Sequence, residues 1–141
     1  LIAPSLTPGK GILFFGDLGT GKTTLIAGIC RGLGVKGVVK SPTFVLVWLY
    51  DCNFPVYHAD LYRMSSYEEL ENIGWEEMTE ENSVYLVEWA DRFELPYTEN
   101  ALRITLNFGK EPNERLLEVS FDEKLYPELE KDLLRHDNSW N

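Results

Sequence analysis

The residues best suited to chemistry form a glycine-rich segment that fits the pattern G-x-x-x-x-G-K-[ST], namely Gly16-Asp17-Leu18-Gly19-Thr20-Gly21-Lys22-Thr23. Glycines let consecutive backbone N–H groups curve around a phosphate, and a helix that begins at the lysine adds its positive dipole end. In this pattern Lys22 reaches the β and γ oxygens of a nucleotide, and Thr23 offers its hydroxyl to Mg²⁺. A glycine-rich turn with a surface lysine would explain neither the spacing nor the flanking elements. The segment therefore predicts a nucleotide-phosphate site.

Two carboxylates and one threonine are further candidates for the reaction. Glu88 ends an apolar run, where a carboxylate at the carboxyl edge of a sheet can hold Mg²⁺ or its waters. Asp60 ends a second such run, and Thr43 follows Pro42 on a loop where switch segments reach a γ-phosphate in related folds. The plainer readings stay open: solvated strand ends for the two acids and an ordinary loop residue for Thr43.

The elements that must position these residues alternate between strand and helix. A short apolar run at 12–15 predicts a buried strand before the loop, and apolar residues at helical spacing over 22–33 predict a helix after it. A capping box, Ser66 with Glu69, starts another helix. The remaining pattern predicts strands at 38–39, 44–50, 56–61 and 84–89, helices at 67–73 and 126–135, and an antiparallel hairpin of 102–108 with 116–121. The fold class is α/β with a mixed sheet.

Length and charge limit the classes of protein that remain. The 141 residues suit one domain, and 44% hydrophobic residues with 26% charged residues are typical of a folded chain. The net charge of −10 argues against a broad surface for nucleic acid or anionic membranes, so any link to RNA must be indirect or local. Residues 1–50 nevertheless carry five basic side chains and one acidic one, and this half contains the glycine-rich segment.

Cysteine usage and hydropathy predict a reduced, cytoplasmic protein with no membrane partner. Cys30 and Cys52 are not accompanied by the spacing of a zinc site or a disulfide framework. The longest apolar runs are far shorter than the roughly 20 residues that a membrane helix needs.

Four segments together resemble the bacterial TsaE (YjeE) family in order and spacing. They are Gly16-Asp17-Leu18-Gly19-Thr20-Gly21-Lys22-Thr23-Thr24, Ser41-Pro42-Thr43-Phe44, Tyr57-His58-Ala59-Asp60-Leu61-Tyr62-Arg63 and Leu86-Val87-Glu88-Trp89. The resemblance implies a single P-loop NTPase domain over 1–141, with a mainly parallel sheet flanked by helices and an antiparallel C-terminal hairpin. It also implies an ATPase that uses Mg²⁺ and ATP and works with the TsaD and TsaB proteins in threonylcarbamoyladenosine modification of tRNA. Contact with tRNA would be indirect, through that complex.

Carried over by position, the resemblance assigns roles to single residues. Lys22, Asp60 and Thr43 fall on catalytic positions, with Asp60 expected to orient or deprotonate water. Thr23 and Glu88 fall on the metal positions. The nucleotide-binding positions fall on Gly16, Asp17, Leu18, Gly19, Thr20, Gly21, Lys22, Thr23, Thr24, Trp89 and Arg115. About ten residues precede the first strand, fewer than family members usually carry, and we therefore expect an incomplete adenine pocket.

Three functional classes fit these residues. The first is a slow ATPase stimulated by partners, because phosphoryl transfer to water needs only a phosphate cradle, Mg²⁺ and a positioned water. The second is a small-molecule kinase, which usually needs an arginine-bearing lid, and the third is a nucleotide-gated binding module that does not hydrolyse. The acidic stretch 68–81, with seven glutamates and no basic residue, is either a solvated helix face or a docking surface for a basic patch.

Overall fold

The protein folds around one sheet, and a computed structural model describes residues 2–17, 19–37 and 46–137. Its helices and strands, in chain order, are β1 (Gly11–Phe15), α1 (Lys22–Gly32), β2 (Val47–Asp51), β3 (Pro55–Asp60), α2 (Tyr67–Asn72), α3 (Trp75–Met78), β4 (Val84–Glu88), β5 (Ala101–Phe108), β6 (Arg115–Ser120) and α4 (Leu129–Asp137). Short 3₁₀ turns occupy Ala3–Ser5 and Ala90–Arg92.

The six strands lie in the order β2-β3-β4-β1-β5-β6. The four inner strands are parallel to one another, and each edge strand pairs antiparallel with its neighbour. Parallel strands need covered faces, and this sheet has them, because β1 and β4 are buried almost throughout. The mixed, mainly parallel α/β fold with an antiparallel β5–β6 hairpin is confirmed.

Alternate side chains of the inner strands enter two separate apolar clusters. Ile12 and Phe14 point to the face that α1 covers, where Ile26 and Ile29 are buried. Leu13 points to the opposite face, toward the cluster that contains Leu70 of α2. The strand period of two therefore sorts the core into two layers. In the part of the chain that the structure describes, no helix has the length and apolar character to cross a membrane.

The predicted elements agree with the structure apart from their ends and one short helix. The predicted helix 126–135 begins instead at Leu129, because Pro127 disfavours helical backbone at the residue before it. The helix α3 has no counterpart in the prediction; it starts after Gly74, whose φ of 84° breaks the α2 helix. The predicted strand 44–50 is β2 over its described part, whereas 38–39 and 44–45 lie outside the described residues.

The acidic stretch 68–81 is largely exposed to solvent, and the two cysteines are unpaired. Six of the seven glutamates between 68 and 81 are exposed, and Glu69 is half-buried because its carboxylate accepts hydrogen bonds from Ser65. The Ser66 hydroxyl accepts from the Glu69 N–H, as the capping box predicts. Cys30 and Cys52 are both free thiols.

The start of β1 depends on a residue without a side chain. A Cβ at Gly11 would lie 2.3 Å from two ring carbons of Tyr85 on the adjacent strand β4. The Tyr85 ring is fully buried and packs against Trp75, so it has little room to move. Glycine at position 11 therefore lets the neighbouring strand bury a large aromatic ring at this point of the sheet.

We expect Gly11→Ala to lower the free energy of unfolding by about 2 kcal/mol, since overpacking a closed core costs roughly 1 to 3 kcal/mol. Urea denaturation followed by circular dichroism measures this loss. The matched control is Gly28→Ala in α1, where the nearest atom to an added Cβ is 3.9 Å away on Arg31. That change should stabilise the protein by about 0.5 to 1 kcal/mol, because alanine favours helix over glycine. Equal effects of the two substitutions would contradict this explanation.

Candidate nucleotide-phosphate site

The glycine-rich loop leaves the central strand β1 and leads into α1. Gly16 has φ of 138°, and a Cβ there would lie 2.6 Å from the Leu106 carbonyl oxygen of β5. Gly21, at the N-cap of α1, has φ of 99°. Both positions need glycine, because these φ values strain other residues and Gly16 also meets backbone. The loop is thereby held against the sheet, with the helix N-terminus opening onto it.

Lys22, the first residue of α1, folds back over the loop. Its Nζ donates to the carbonyl oxygen of Gly16 and, at 3.1 Å, to that of Asp17. The ammonium also lies 4.0 Å from the centre of the Trp89 ring. Burial lowers the pKa of Lys22, while the nearby carboxylates of Glu88 and Asp60 act in the opposite direction. A cation is thus held at the helix N-terminus among partners that a phosphate could replace.

The next residue, Thr23, faces a buried carboxylate. Its Oγ1 donates to Glu88 Oε1 at 3.2 Å, and only 3% of Glu88 is exposed. A hydroxyl and a carboxylate are both oxygen donors of the kind that Mg²⁺ prefers. Among the described residues no group of three or more His, Cys, Asp and Glu side chains gathers as a metal site. The pair Thr23 and Glu88 could therefore hold a cation only together with oxygens from a bound ligand or water.

Glu88 meets Thr23 because of strand register and side-chain alternation. Glu88 pairs with Phe14 of β1, and both side chains lie on the sheet face that α1 covers. On its other side Glu88 pairs with Asp60, the last residue of β3. Since β3 and β4 are parallel, both acids lie at the same edge of the sheet, beside the loop. Both acids are close enough to Lys22 for their charges to oppose the lowering of its pKa by burial.

Asp60 is a buried acid that accepts a backbone hydrogen bond. Its Oδ1 accepts a hydrogen bond from the Tyr62 N–H at 2.9 Å, and 9% of the residue is exposed. Burial raises the pKa of Asp60, the Tyr62 hydrogen bond lowers it, and the neighbouring Glu88 charge raises it further. The ionised form of Asp60 is therefore less favourable in the folded protein than in the unfolded chain.

Aromatic rings border the site on the side of Lys22. Trp89 follows β4 with φ of 57°, a conformation that is rare for residues other than glycine. This turn directs its ring to Lys22, and the ring of Tyr62 packs against it at 4.8 Å between centroids. Tyr62 is 52% exposed, so the aromatic pair is open to solvent. Backbone strain of this kind is often found at functional sites.

Arg115 connects the C-terminal hairpin to the loop. Its Nε donates to the Thr20 carbonyl oxygen at 3.1 Å, and its guanidinium lies 4.8 Å from the Phe108 ring centre. Thr20 is itself fixed by a bond of 2.8 Å from its hydroxyl to the Asp17 carbonyl oxygen. Arg115, which the sequence assigns only by resemblance, is thus brought to the back of the same loop.

Two predicted site residues, Leu18 and Thr43, lie outside the described residues. Thr24 is exposed in the first turn of α1, next to Thr23. The contact that the sequence does not reveal is that of His58, whose Nε2 lies 2.7 Å from Glu88 Oε2. The available signal is its spacing of two residues before Asp60, which places both side chains on one strand face.

A strand, a glycine-rich loop and a helix that begins at lysine, at the centre of a mainly parallel sheet, define the fold of the P-loop class. The family model described as "Threonylcarbamoyl adenosine biosynthesis protein TsaE" matches residues 1–117. The chain therefore belongs to the TsaE family of tRNA threonylcarbamoyladenosine biosynthesis proteins.

Individual relatives agree with this assignment. The chain is 37% identical to the TsaE protein of Bacillus subtilis over 142 aligned positions, which cover all of this chain and 88% of that protein. It is 38% identical to the TsaE protein of a Nostoc species, over 79% of this chain and 70% of the relative. The crystal structure of Bacillus subtilis YdiB matches with a TM-score of 0.73 and 30% identity, covering 96% of this chain and 84% of that one.

We expect Asp60→Asn to raise the melting temperature by roughly 3 °C at neutral pH, because the substitution removes a buried charge. Folding raises the pKa of Asp60 above its ordinary value of 3.8. The free energy of unfolding therefore falls as the pH rises from 3.8 through the pKa that Asp60 has in the folded protein. The increase in melting temperature caused by Asp60→Asn should accordingly shrink toward zero as the pH is lowered to about 4.

Differential scanning calorimetry between pH 4 and 8 tests this expectation. The exposed Asp51 at the end of β2 provides the matched control, and Asp51→Asn should change stability by less than about 0.5 kcal/mol. The stated effect of burial would be contradicted if Asp60→Asn raised the melting temperature equally at every pH, or lowered it at neutral pH.

Proposed function

We propose that this protein binds ATP with Mg²⁺ and hydrolyses it slowly, as its part in threonylcarbamoyladenosine modification of tRNA. The observation that carries the proposal is the contact between Thr23 and Glu88 beside Lys22, at the N-terminus of α1. This contact joins the phosphate loop to a buried acid, the combination that a nucleotide with a bound cation requires.

The loop supplies the phosphate contacts. Backbone N–H groups between Gly16 and Thr23 cradle the phosphates, and Lys22 exchanges its bonds to the loop carbonyls for phosphate oxygens. Burial favours this exchange, because a desolvated ammonium gains more from a phosphate than from a neutral carbonyl. Trp89 covers the ammonium from the outer side.

The donor set of the site fits Mg²⁺. The Thr23 hydroxyl and the Glu88 carboxylate would hold the cation, directly or through its waters. When bound, Mg²⁺ neutralises the charge that develops on the phosphates during transfer. Glu88 would hold the cation with a fixed negative charge, because its two carboxylate oxygens are already oriented by Thr23 and His58.

Asp60 is the residue proposed to act on water. Its place beside Glu88 at the edge of the sheet puts a carboxylate next to the phosphate loop. A raised pKa makes Asp60 a better proton acceptor than an ordinary aspartate while leaving it a hydrogen-bond acceptor for orienting water. Thr43 is proposed as the switch residue that senses the γ-phosphate, and Leu18 as a further backbone contact of the loop.

The partners proposed are the TsaD and TsaB proteins, with tRNA contacted only indirectly through their complex. The charge of −10 supports an indirect link to RNA, since a nucleic-acid surface needs basic residues. The guanidinium of Arg115 is engaged behind the loop by Thr20, Pro112 and Glu114 carbonyl oxygens. A group that stabilises the transition state would therefore come from a partner protein. Turnover would be slow in this protein alone and faster in the complex.

Phosphate release from Mg·ATP, with and without a TsaD and TsaB pair, tests the proposal. We expect slow release by the protein alone, stimulation by the pair, and a loss of about 100-fold in Lys22→Ala, which removes a cation from the transferring phosphate. Lys36→Ala, at an exposed position beyond α1, is the matched control and should keep the parent rate.

Other outcomes would point to the other classes of protein. Equal rates with and without the pair would contradict partner stimulation. Transfer of phosphate to an added nucleoside or sugar would favour a kinase. Tight ATP binding without phosphate release in either condition would favour a nucleotide-gated binding module.

A second experiment tests the metal assignment of Glu88. We expect Glu88→Gln to raise the Mg²⁺ concentration for half-maximal ADP binding by about tenfold or more, because a charged ligand is lost. Binding of ADP in EDTA should be retained or strengthened, since one negative charge near the phosphates is removed. Isothermal titration calorimetry measures both. Glu76→Gln, on the exposed face of α3, is the control, and parental Mg²⁺ dependence in Glu88→Gln would show that the acid is wrongly assigned.

A further inference from the structure

A polar row, buried at His58 and Glu88, runs from the edge of the sheet to the phosphate loop through Tyr50, His58, Glu88 and Thr23. The Tyr50 hydroxyl lies 3.4 Å from His58 Nδ1. His58 Nε2 lies 2.7 Å from Glu88 Oε2, and the other carboxylate oxygen, Oε1, accepts from the Thr23 hydroxyl at 3.2 Å. The two oxygens of one carboxylate are therefore held from opposite sides.

Sheet geometry explains why these side chains meet. His58 and Asp60 are two residues apart on β3 and lie on the same face. His58 pairs with Leu86, so Glu88 is its diagonal neighbour on β4. On the other side, Trp48 of β2 pairs with His58, which makes Tyr50 a diagonal neighbour as well. The row crosses three strands on the face that α1 covers.

Burial makes the contact of His58 with Glu88 consequential. His58 is fully buried and Glu88 is 3% exposed, so water does not compensate the carboxylate. A buried carboxylate needs hydrogen-bond donors, and His58 supplies the one that faces Oε2. A histidine that only filled space in the core would not have to direct a ring nitrogen at the acid beside the phosphate loop.

We propose that His58 is the positioning residue that fixes the Glu88 carboxylate with Oε1 toward Thr23. The inference rests on the proposed function, in which Thr23 and Glu88 hold Mg²⁺. His58 donates its Nε2 proton to Oε2, which fixes the rotation of the carboxylate about its last bond. Tyr50, at Nδ1, keeps the imidazole ring in the matching orientation. Ligands are commonly oriented in this way by residues behind them, and loss of such a partner weakens metal affinity about 10- to 100-fold.

Calorimetric titration of Mg²⁺ in the presence of ADP tests the inference on three variants. His58→Leu, which removes the donor, should raise the half-saturating Mg²⁺ concentration about tenfold while ADP binding in EDTA changes little. His58→Gln retains an amide donor and should stay within about threefold of the parent. Val56→Ala weakens the buried start of the same strand but leaves the donor to Glu88 in place, so it should stay within about twofold.

The pattern across these variants separates positioning from a merely structural role. Equal losses of Mg²⁺ affinity in His58→Leu and His58→Gln would overturn the inference. Mg²⁺ affinity equal to that of the parent in folded His58→Leu would overturn it as well. A loss in Val56→Ala as large as in His58→Leu would also overturn it, because general weakening of β3 would then explain the effect.

Nitrogen NMR on the labelled protein provides a test that needs neither nucleotide nor a substitution at His58. The chain has two histidines, so His136→Gln leaves a single ring to observe. We expect a proton on His58 Nε2, and a change in its signal in Glu88→Gln. An Nε2 without a proton, or a signal that Glu88→Gln leaves unmoved, would overturn the inference. If these NMR results are as expected and the parent protein binds no Mg²⁺ with ADP, the proposed function fails while the positioning contact stands.

Discussion

The buried carboxylate of Glu88 is the constraint around which the site is built. A carboxylate with 3% exposure is costly in an apolar sheet unless donors or cations compensate it. Three groups supply that compensation: the Thr23 hydroxyl and the nearby Lys22 charge from the first turn of α1, and the His58 imidazole from β3. Because α1 and β3 are far apart in the chain, the acid joins helix and sheet.

The glycine-rich loop also depends on β5 and β6, which lie on the other side of β1 from β4. Gly16 passes so close to the Leu106 carbonyl that a side chain would not fit. Arg115, from the far hairpin, holds the Thr20 carbonyl. The edge strand β6 is exposed over most of its length, yet its first residue, Arg115, reaches the loop. The hairpin therefore serves the site as well as the fold.

Asp60 and Trp89 show that the site is not optimised for stability. Burial raises the pKa of Asp60, so its charge at neutral pH works against folding. Trp89 adopts a left-handed backbone conformation directly after β4. Both features lie beside Lys22, and such costs are retained where activity requires them. The exposed Tyr62 ring lies in the same region, so the part of the site with the strained Trp89 backbone is also accessible to solvent.

The sequence by itself determined the glycine-rich loop, the strand before it and the helix after it, because glycine spacing and apolar periodicity act over a few neighbouring residues. It also placed Asp60 and Glu88 at strand ends, and the capping box at the start of α2. The sequence did not reveal which strands are neighbours, and only the tertiary structure decided that β3 lies beside β4 in the register that pairs Asp60 with Glu88. The contacts of His58 and Arg115 likewise follow from the order of the strands in the sheet. Their partners are 30 and 95 residues away in the chain, and contacts at such separation depend on how the sheet is assembled, not on local pattern.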